Sequence, residues 1–199
     1  MDYEFLKKLN DKEYAQKLRK EFNEKIDADT KEYQKQFGFE IGTGKNPTWN
    51  NESDAFKHAY MSAVMCYQVS KYGGQRAGNY VSKTIGDFHE WETKDRNADK
   101  GESNMDLWNN EVGREVATEI MQKLGETGYK LPDEAVEHFF AMEIVKRMKK
   151  GDLITRPNDP RKFEDRHKYT QTISKPKGQY NFGKKGHWVT TKQGNHVFF

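Results

Sequence analysis

Asn51-Glu52-Ser53-Asp54-Ala55-Phe56-Lys57-His58-Ala59-Tyr60 opens the stretch on which the fold is decided. Asn51 has the side chain of a helix N-cap, and Asp54 follows three residues later in a variant of the capping box. Beyond it, Phe56, Ala59, Tyr60, Ala63, Val64 and Tyr67 recur with the period of a helix over residues 55–72. Gly73-Gly74 is placed to stop that helix. The polar residues of the stretch share a face too: Asp54 and His58 are four apart, one turn of helix. Two further clusters repeat the pattern, Gly86-Asp87-Phe88-His89-Glu90-Trp91 and Met105-Asp106-Leu107-Trp108-Asn109-Asn110-Glu111-Val112-Gly113-Arg114. Each sets acids, imidazole, amides or guanidinium among apolar neighbours that belong in a core. Burying such groups is costly unless they pair with one another, with a metal or with a substrate.

Working outward, residues 77–91 predict a second core helix with Tyr80, Val81, Ile85 and Phe88 inward, followed by a polar loop over 93–104. Residues 105–124 predict a third helix with Leu107, Val112, Val116, Ile120 and Leu124 in its stripe. Residues 133–150 predict a fourth, with Val136, Phe139, Phe140, Ile144, Val145 and Met148, closed by Gly151. Leu153-Ile154-Thr155 suits a short extended segment. Ahead of the core, residues 3–36 read as a highly charged helix with a thin stripe of Tyr14, Leu18, Phe22, Ile26 and Tyr33, a solvated arm or a surface for another chain. Gly38, Gly42, Gly44 and Pro47 then break the helix. After Pro157 the chain turns basic and Pro/Gly-broken, and residues 187–199 have the pattern of a β-hairpin. The expected architecture is mostly α: an orthogonal or bundle-like helical core (39–156), an N-terminal helical arm (1–38), and a basic tail (157–199) ending in a small C-terminal β-hairpin.

Composition narrows the function classes. The 199 residues carry 34 basic and 31 acidic side chains, and the net charge of +3 is too small to argue for nucleic acid by itself. Hydrophobic residues are only 34%, offset by 12 Phe, 10 Tyr and 4 Trp. The single cysteine, Cys66, excludes an intramolecular disulfide framework and a cysteine-based zinc knuckle. No apolar run approaches the roughly 20 residues that span a bilayer. The N-terminal residues lack a signal peptide's basic start and apolar core. The expectation is a soluble chain, cytoplasmic as synthesised, with virion association or export without a cleaved signal as the alternatives.

Each cluster has a chemical and a structural reading. An acid one turn from an imidazole can orient it, or both can hold one cation, and a helix-start Asp-His pair on the surface looks the same. Asp87 and Glu90 share a helical face and would make a carboxylate-rich cation site with a histidine from another helix, while His89 faces away from them on a regular helix. The spacing is not that of a His-Glu-x-x-His zinc protease. Asp106, Asn110 and Arg114 form one continuous stripe, beside Asn109 and Gly113. Two successive asparagines inside a helix ask for a reason. That reason is either a ladder tying the helix to its neighbours, or ligands and water-positioners with Arg114 as a clamp for phosphate or carboxylate. Three core helices with polar stripes can converge on a metal or cofactor site inside a bundle.

In order and spacing, Asp-Ala-Phe-Lys-His-Ala (54–59), Asp-Phe-His-Glu (87–90) and Met-Asp-Leu-Trp-Asn-Asn-Glu-Val-Gly-Arg (105–114) resemble an uncharacterised bacterial domain found at the C-termini of toxin-like and secreted proteins and in phages. Lys149-Lys150-Gly151-Asp152-Leu153 resembles its usual end, so the resemblance covers roughly residues 45–155. Its toxin-like company implies a hydrolase, with Asp54, His58, Asp87, His89, Glu90, Asp106, Asn110 and Arg114 as the site. Gly86 to His89 is also similar to the Gly-Asp-x-His segments of helical zinc-dependent phospholipases C and nucleases. Those sites hold three metals with many histidines, whereas the core here offers His58, His89 and His138. One metal, or a pair held by carboxylates, fits better. The final Gly-His-Trp-Val-Thr-Thr-Lys-Gln-Gly-Asn-His-Val-Phe-Phe resembles a short segment of phage-encoded proteins.

Together these readings predict a toxin-like hydrolase domain acting on a phosphodiester or similar ester. A divalent metal of unspecified identity would sit on Asp87, Glu90, Asp106 and His58. Asp54, His58, His89, Asn110 and Arg114 would be the catalytic set, Arg114 stabilising negative charge. A non-enzymatic virion or interaction protein is the alternative, its polar clusters a structural network and its arm or hairpin a surface for a protein partner. A third reading is a nucleic-acid-binding module using Lys175, Lys177, Lys184 and Lys185 with Tyr180, Phe182 and Trp188.

Overall fold

A computed structural model describes residues 12–43, 45–94 and 100–166, the side chains of 87–94 excepted, and the backbone alone of 188–190 and 196–198. Its architecture is mostly α-helical, with four helices among the described residues: α1 (Lys12–Phe37), α2 (Glu52–Lys94), α3 (Lys100–Thr127) and α4 (Asp133–Lys149). A single 3-10 turn follows at Phe163–Asp165. No described helix is long and apolar enough to cross a membrane. The expected C-terminal hairpin is not supported. The turn at 191–195 and every side chain of that segment lie outside the described residues, as do the basic tail positions from 167 to 187.

The two predicted helices at 55–72 and 77–91 are the two limbs of α2, broken at Gly74. There the backbone has φ 78° and ψ 169°, a conformation that a Cβ would strain. The limbs fold back on one another in a fixed register. Ser62 and Ser82 hydroxyls lie 3.0 Å apart, and the Cys66 thiol donates to Asn79 Oδ1 at 3.5 Å. Their lining is small and polar, which corrects the sequence expectation for the second limb. Tyr80 and Ile85 are not inward: they are 73% and 48% exposed, while Ser82 and Gly86 are buried. Limbs held together by serine hydroxyls leave no room between them for a large ring, so the aromatic and aliphatic side chains are turned out.

α3 lies along both limbs. At Gly113 a Cβ would stand 2.0 Å from the Ala59 carbonyl oxygen, so only glycine allows the two backbones to come this close. The helix begins at Lys100 and takes in residues 100–104, which the sequence assigned to a loop. Asn104 explains part of this: its side chain donates to the Arg161 carbonyl (2.9 Å) and accepts from the Phe163 N–H (2.8 Å), so the start of the tail braces the helix. Arg161 and Arg166 also stack over the Trp108 ring, at 5.0 and 4.6 Å.

The core is continuous across the helices, with Phe56, Tyr60, Trp108, Val112, Phe140 and Ile144 all but fully buried. The charged α1 contributes its C-terminal half to it. Ile26 and Tyr33 are buried, Tyr33 packs on Phe56 and Tyr60, and the Tyr60 hydroxyl donates to Asp29 (3.0 Å). Lys25 bridges Asp29 and Glu137 at 2.8 and 2.6 Å, tying α1 to α4. Leu153 and Ile154 do not form a strand. Their backbone instead docks on α3, where Asn109 donates to the Ile154 carbonyl (2.8 Å) and accepts its N–H (3.0 Å), and Trp108 donates to the Asp152 carbonyl (2.7 Å).

Candidate metal centre

The N-terminus of α2 is built as its sequence implies, with one displacement. Asn51 Oδ1 accepts the N–H groups of Ser53 (2.9 Å) and Asp54 (3.3 Å), satisfying donors that a helix start leaves free. Asp54 does not return to the N-cap as a capping box would. Its Oδ2 accepts the N–H of Asn50, one residue earlier, at 2.8 Å. That leaves Oδ1 turned toward His58 on the next turn, 3.7 Å from Nε2. Nε2 is also 3.3 Å from Asp106 Oδ1 of α3. One ligand atom from each of Asp54, His58 and Asp106 thus lies within 4.8 Å of the others. Three ligands about 2.1 Å from one ion stand roughly 3.0–3.4 Å apart, so small side-chain rotations would close the group on a cation.

The electrostatics of the group favour a positive ion. The three side chains are only 15–17% exposed. Burial, with Asp54 and then Glu102 adding to it, pushes the Asp106 carboxyl up to about 8. Among the described residues no lysine or arginine pairs with Asp54, Glu102 or Asp106. Glu102, one turn before Asp106 on α3, instead accepts from the Asn50 side-chain amide at 2.5 Å. His58 Nδ1 is buried without a partner among the described residues. Its second nitrogen therefore needs an acceptor if Nε2 is to ligate.

The other expected site residues are distributed differently. Asn110 is buried one turn beyond Asp106, its Oδ1 without a described partner and its amide against Gly86, where a Cβ would lie 3.1 Å from Nδ2. Arg114 is not brought into the group. Its Nε and Nη2 bond Glu111, and it lines a cleft of about 410 Å³ with Asn79, Tyr80, Lys83, Glu111, Glu115 and Thr118. Asn109, the neighbour of Asn110, holds the Ile154 backbone and is structural. The side chains of Asp87, His89 and Glu90 lie outside the described residues, although their backbone is helical. The limb register, Ser62 opposite Ser82 and Cys66 opposite Asn79, brings positions 86–87 level with His58 and 90–91 level with Asp54. His138 is buried in the aromatic core against Tyr33 and Phe37, apart from this group.

Sequence reasoning missed Asn50 and Glu102. Glu102 fell in a stretch read as loop, yet its spacing of four from Asp106 was the signal once that stretch is helical. Asn50 carries a cue only in three dimensions: its φ of 55° is the left-handed conformation that asparagine tolerates better than most residues.

Fold and site together define a mostly α-helical protein with a half-buried acid–imidazole group at the junction of α2 and α3. Residues 13–151 match a family described as Domain of unknown function (DUF6973), and the chain belongs to that family. The matched span includes almost all of α1, in keeping with the contribution of that helix to the core. No curated protein and no solved structure matches the chain.

Proposed function

We propose that this chain is a divalent-cation-dependent hydrolase acting on a phosphodiester or similar ester. The observation that carries the reading is the Asp54–His58–Asp106 group: three ligand atoms within 4.8 Å, on half-buried side chains whose carboxylates have no lysine or arginine among their described partners. A bound cation would balance these carboxylates, polarise an ester oxygen and lower the pKa of a bound water. Asp54 and Asp106 would hold it with His58 Nε2. Asp87 and Glu90, level with His58 and Asp54 by backbone register, are the acids this reading assigns to complete the ligand set and to accept from His58 Nδ1. Asn110, one turn from Asp106, is the neutral amide available to position substrate or water. Arg114 is tied to Glu111, eight residues or about 12 Å along the helix axis from Asp106. Its Nη1, however, is buried without a described partner beside Gly86 and the Asn110 amide, level with His58, so this reading keeps Arg114 as the cation that stabilises negative charge on that side. The resemblance to domains of toxin-like proteins supports a hydrolase over a carrier or storage site.

The test is metal content of the purified chain together with hydrolysis of bis-p-nitrophenyl phosphate, for wild type and Asp106→Asn. Stoichiometric Mn²⁺ or Zn²⁺ and metal-dependent turnover, both lost in the folded variant, are the expected results. A folded wild type that takes up no divalent ion at pH 8 would overturn the reading. It would favour the second one, an interaction protein whose polar stripes are structural, which the Asn109–Ile154 ladder already exemplifies.

A further inference from the structure

The cleft between the second limb of α2 and the middle of α3 lies apart from the Asp54–His58–Asp106 group. Tyr80 and Lys83 stand on one wall, and Glu111, Arg114 and Glu115 on the other. Its volume of about 410 Å³ is that of a small-molecule site, such sites spanning roughly 300–1,000 Å³. Asn79 and Thr118, which also line it, are bonded to one another across the two helices, Asn79 Nδ2 to Thr118 Oγ1 at 3.1 Å. They set the width of the cleft and are not its recognition groups.

The charges of the cleft are unequally answered. Glu115 accepts from Arg166 at 2.7 Å and from Arg147 at 3.1 Å, so its carboxylate is neutralised within the chain. Arg114 is held otherwise. Its side chain is only 4% exposed, yet a single oxygen, Glu111 Oε2, accepts from both its Nε (3.1 Å) and its Nη2. Nη1 is buried without a described partner. A guanidinium offers five N–H groups in a fork that matches two oxygens of a carboxylate or phosphoryl group, and here one oxygen takes the fork alone. Glu111 itself is 33% exposed and lies one turn before Arg114 on the same helix, a pairing that is weak on a helix surface. A buried cation is thus held by an acid that can swing into solvent.

We propose that this cleft binds a small phosphate monoester, whose phosphoryl oxygens replace the Glu111 carboxylate on Arg114 and reach Lys83. With Glu111 swung out, Arg114 and Lys83 are two positive charges facing one ligand. A phosphoryl dianion balances both, whereas a monocarboxylate balances one. The cleft is far larger than a phosphate ion, so an organic group accompanies the phosphoryl. The ring of Tyr80, 73% exposed at the cleft wall, is the surface on which that group lies. The site uses the side of the guanidinium that faces Glu111 and needs no metal, so it goes beyond the cation reading and does not rest on it.

The experiment is calorimetric titration of the full chain with phenyl phosphate at pH 8 in EDTA, for wild type, Glu111→Gln and Lys83→Met. Inorganic phosphate and phenol are the companion probes. Removing the competing carboxylate in Glu111→Gln should tighten phenyl phosphate binding about tenfold, and Lys83→Met should weaken it about tenfold, each the size of one charge-assisted hydrogen bond. Inorganic phosphate should bind more weakly than phenyl phosphate, and phenol not measurably. No saturable binding by wild type or Glu111→Gln, or an affinity that neither substitution moves, would overturn the proposal. Phenol binding as tightly as phenyl phosphate would overturn it too, since the cleft would then select the ring alone. Should Glu111→Gln fail to fold, an unchanged affinity in Lys83→Met overturns the proposal by itself. Every titration is made without metal, so failure here leaves the cation group standing.

Discussion

The middle and the N-terminal end of α3 hold half-buried acids in opposite ways. Toward its middle, Glu115 accepts from Arg166 Nη2 (2.7 Å) and Arg147 Nη1 (3.1 Å), and Arg166 Nη1 also donates to Asp152 (2.6 Å). Arg147 reaches Glu119 at 2.7 Å as well. At the N-terminal end, Asp106 and Glu102 lie beside Asp54 and His58, with no arginine or lysine among their described partners. Burial raises the carboxyl of Glu115 too, but Arg166 and Arg147 pull it back, whereas burial, Asp54 and Glu102 all push the Asp106 carboxyl up. The first arrangement is closed, each charge answered by the chain. The second has no lysine or arginine among its described partners, the arrangement the proposed cation would complete.

The sharpest contrast comes from cutting one partner out of the closed network. Arg166→Met would leave Asp152 buried without its principal partner and is expected to cost about 3–5 kcal/mol, measured by urea unfolding. A loss below ~1 kcal/mol would mean the network is not what holds the tail to α3. Next in size is Asn109→Ala, which strips two buried hydrogen bonds from the Ile154 backbone. An expected cost of roughly 2–3 kcal/mol follows from leaving that N–H and carbonyl unpaired. In the open group the sign reverses. Asp106→Asn removes a carboxylate that nothing described compensates, so the metal-free variant should be as stable as wild type or more so at pH 8. A clear destabilisation there would place Asp106 in a structural network after all.

The remaining prediction concerns slope, read as a difference between two pH profiles. The folded Asp106 carboxyl sits at about 8 against an ordinary 3.8, so between these values the folded chain holds a proton that the unfolded chain releases. Its contribution to stability is complete below the lower value and disappears as pH rises toward 8. The melting temperature of metal-free wild type should therefore fall across that window more steeply than that of Asp106→Asn. Parallel pH profiles would remove the electrostatic argument. Cation affinity should run the other way and rise with pH, since the ion displaces the proton.

Much of the site was legible in sequence because helical spacing is legible. Asp54 and His58, four apart, do share a face, and Asp106 was picked from the third cluster before any partner was known. What spacing could not supply was which stripes meet. Asn109 and Asn110 are adjacent and looked equivalent, yet one reaches the Ile154 backbone and the other packs against Gly86. The inward face of the second α2 limb was misassigned because Tyr80 and Ile85 are the residues that hydrophobicity selects. Close limb contact selects small ones instead, Ser82 and Gly86. Glu102 escaped because residues 93–104 have the composition of a loop, and α3 is extended through part of them by tail contacts far away in sequence. Similarly, α1 has too thin a stripe to announce that Ile26 and Tyr33 enter the core.

The central claim is tested most directly by anomalous diffraction from crystals of the full chain soaked in Mn²⁺ at pH 8. The account predicts a single strong peak about 2.0–2.3 Å from Asp54 Oδ1, His58 Nε2 and Asp106 Oδ1, absent in Asp106→Asn. No peak at that position in the wild type, with Asp54, His58 and Asp106 hydrogen-bonded only to one another, would contradict it.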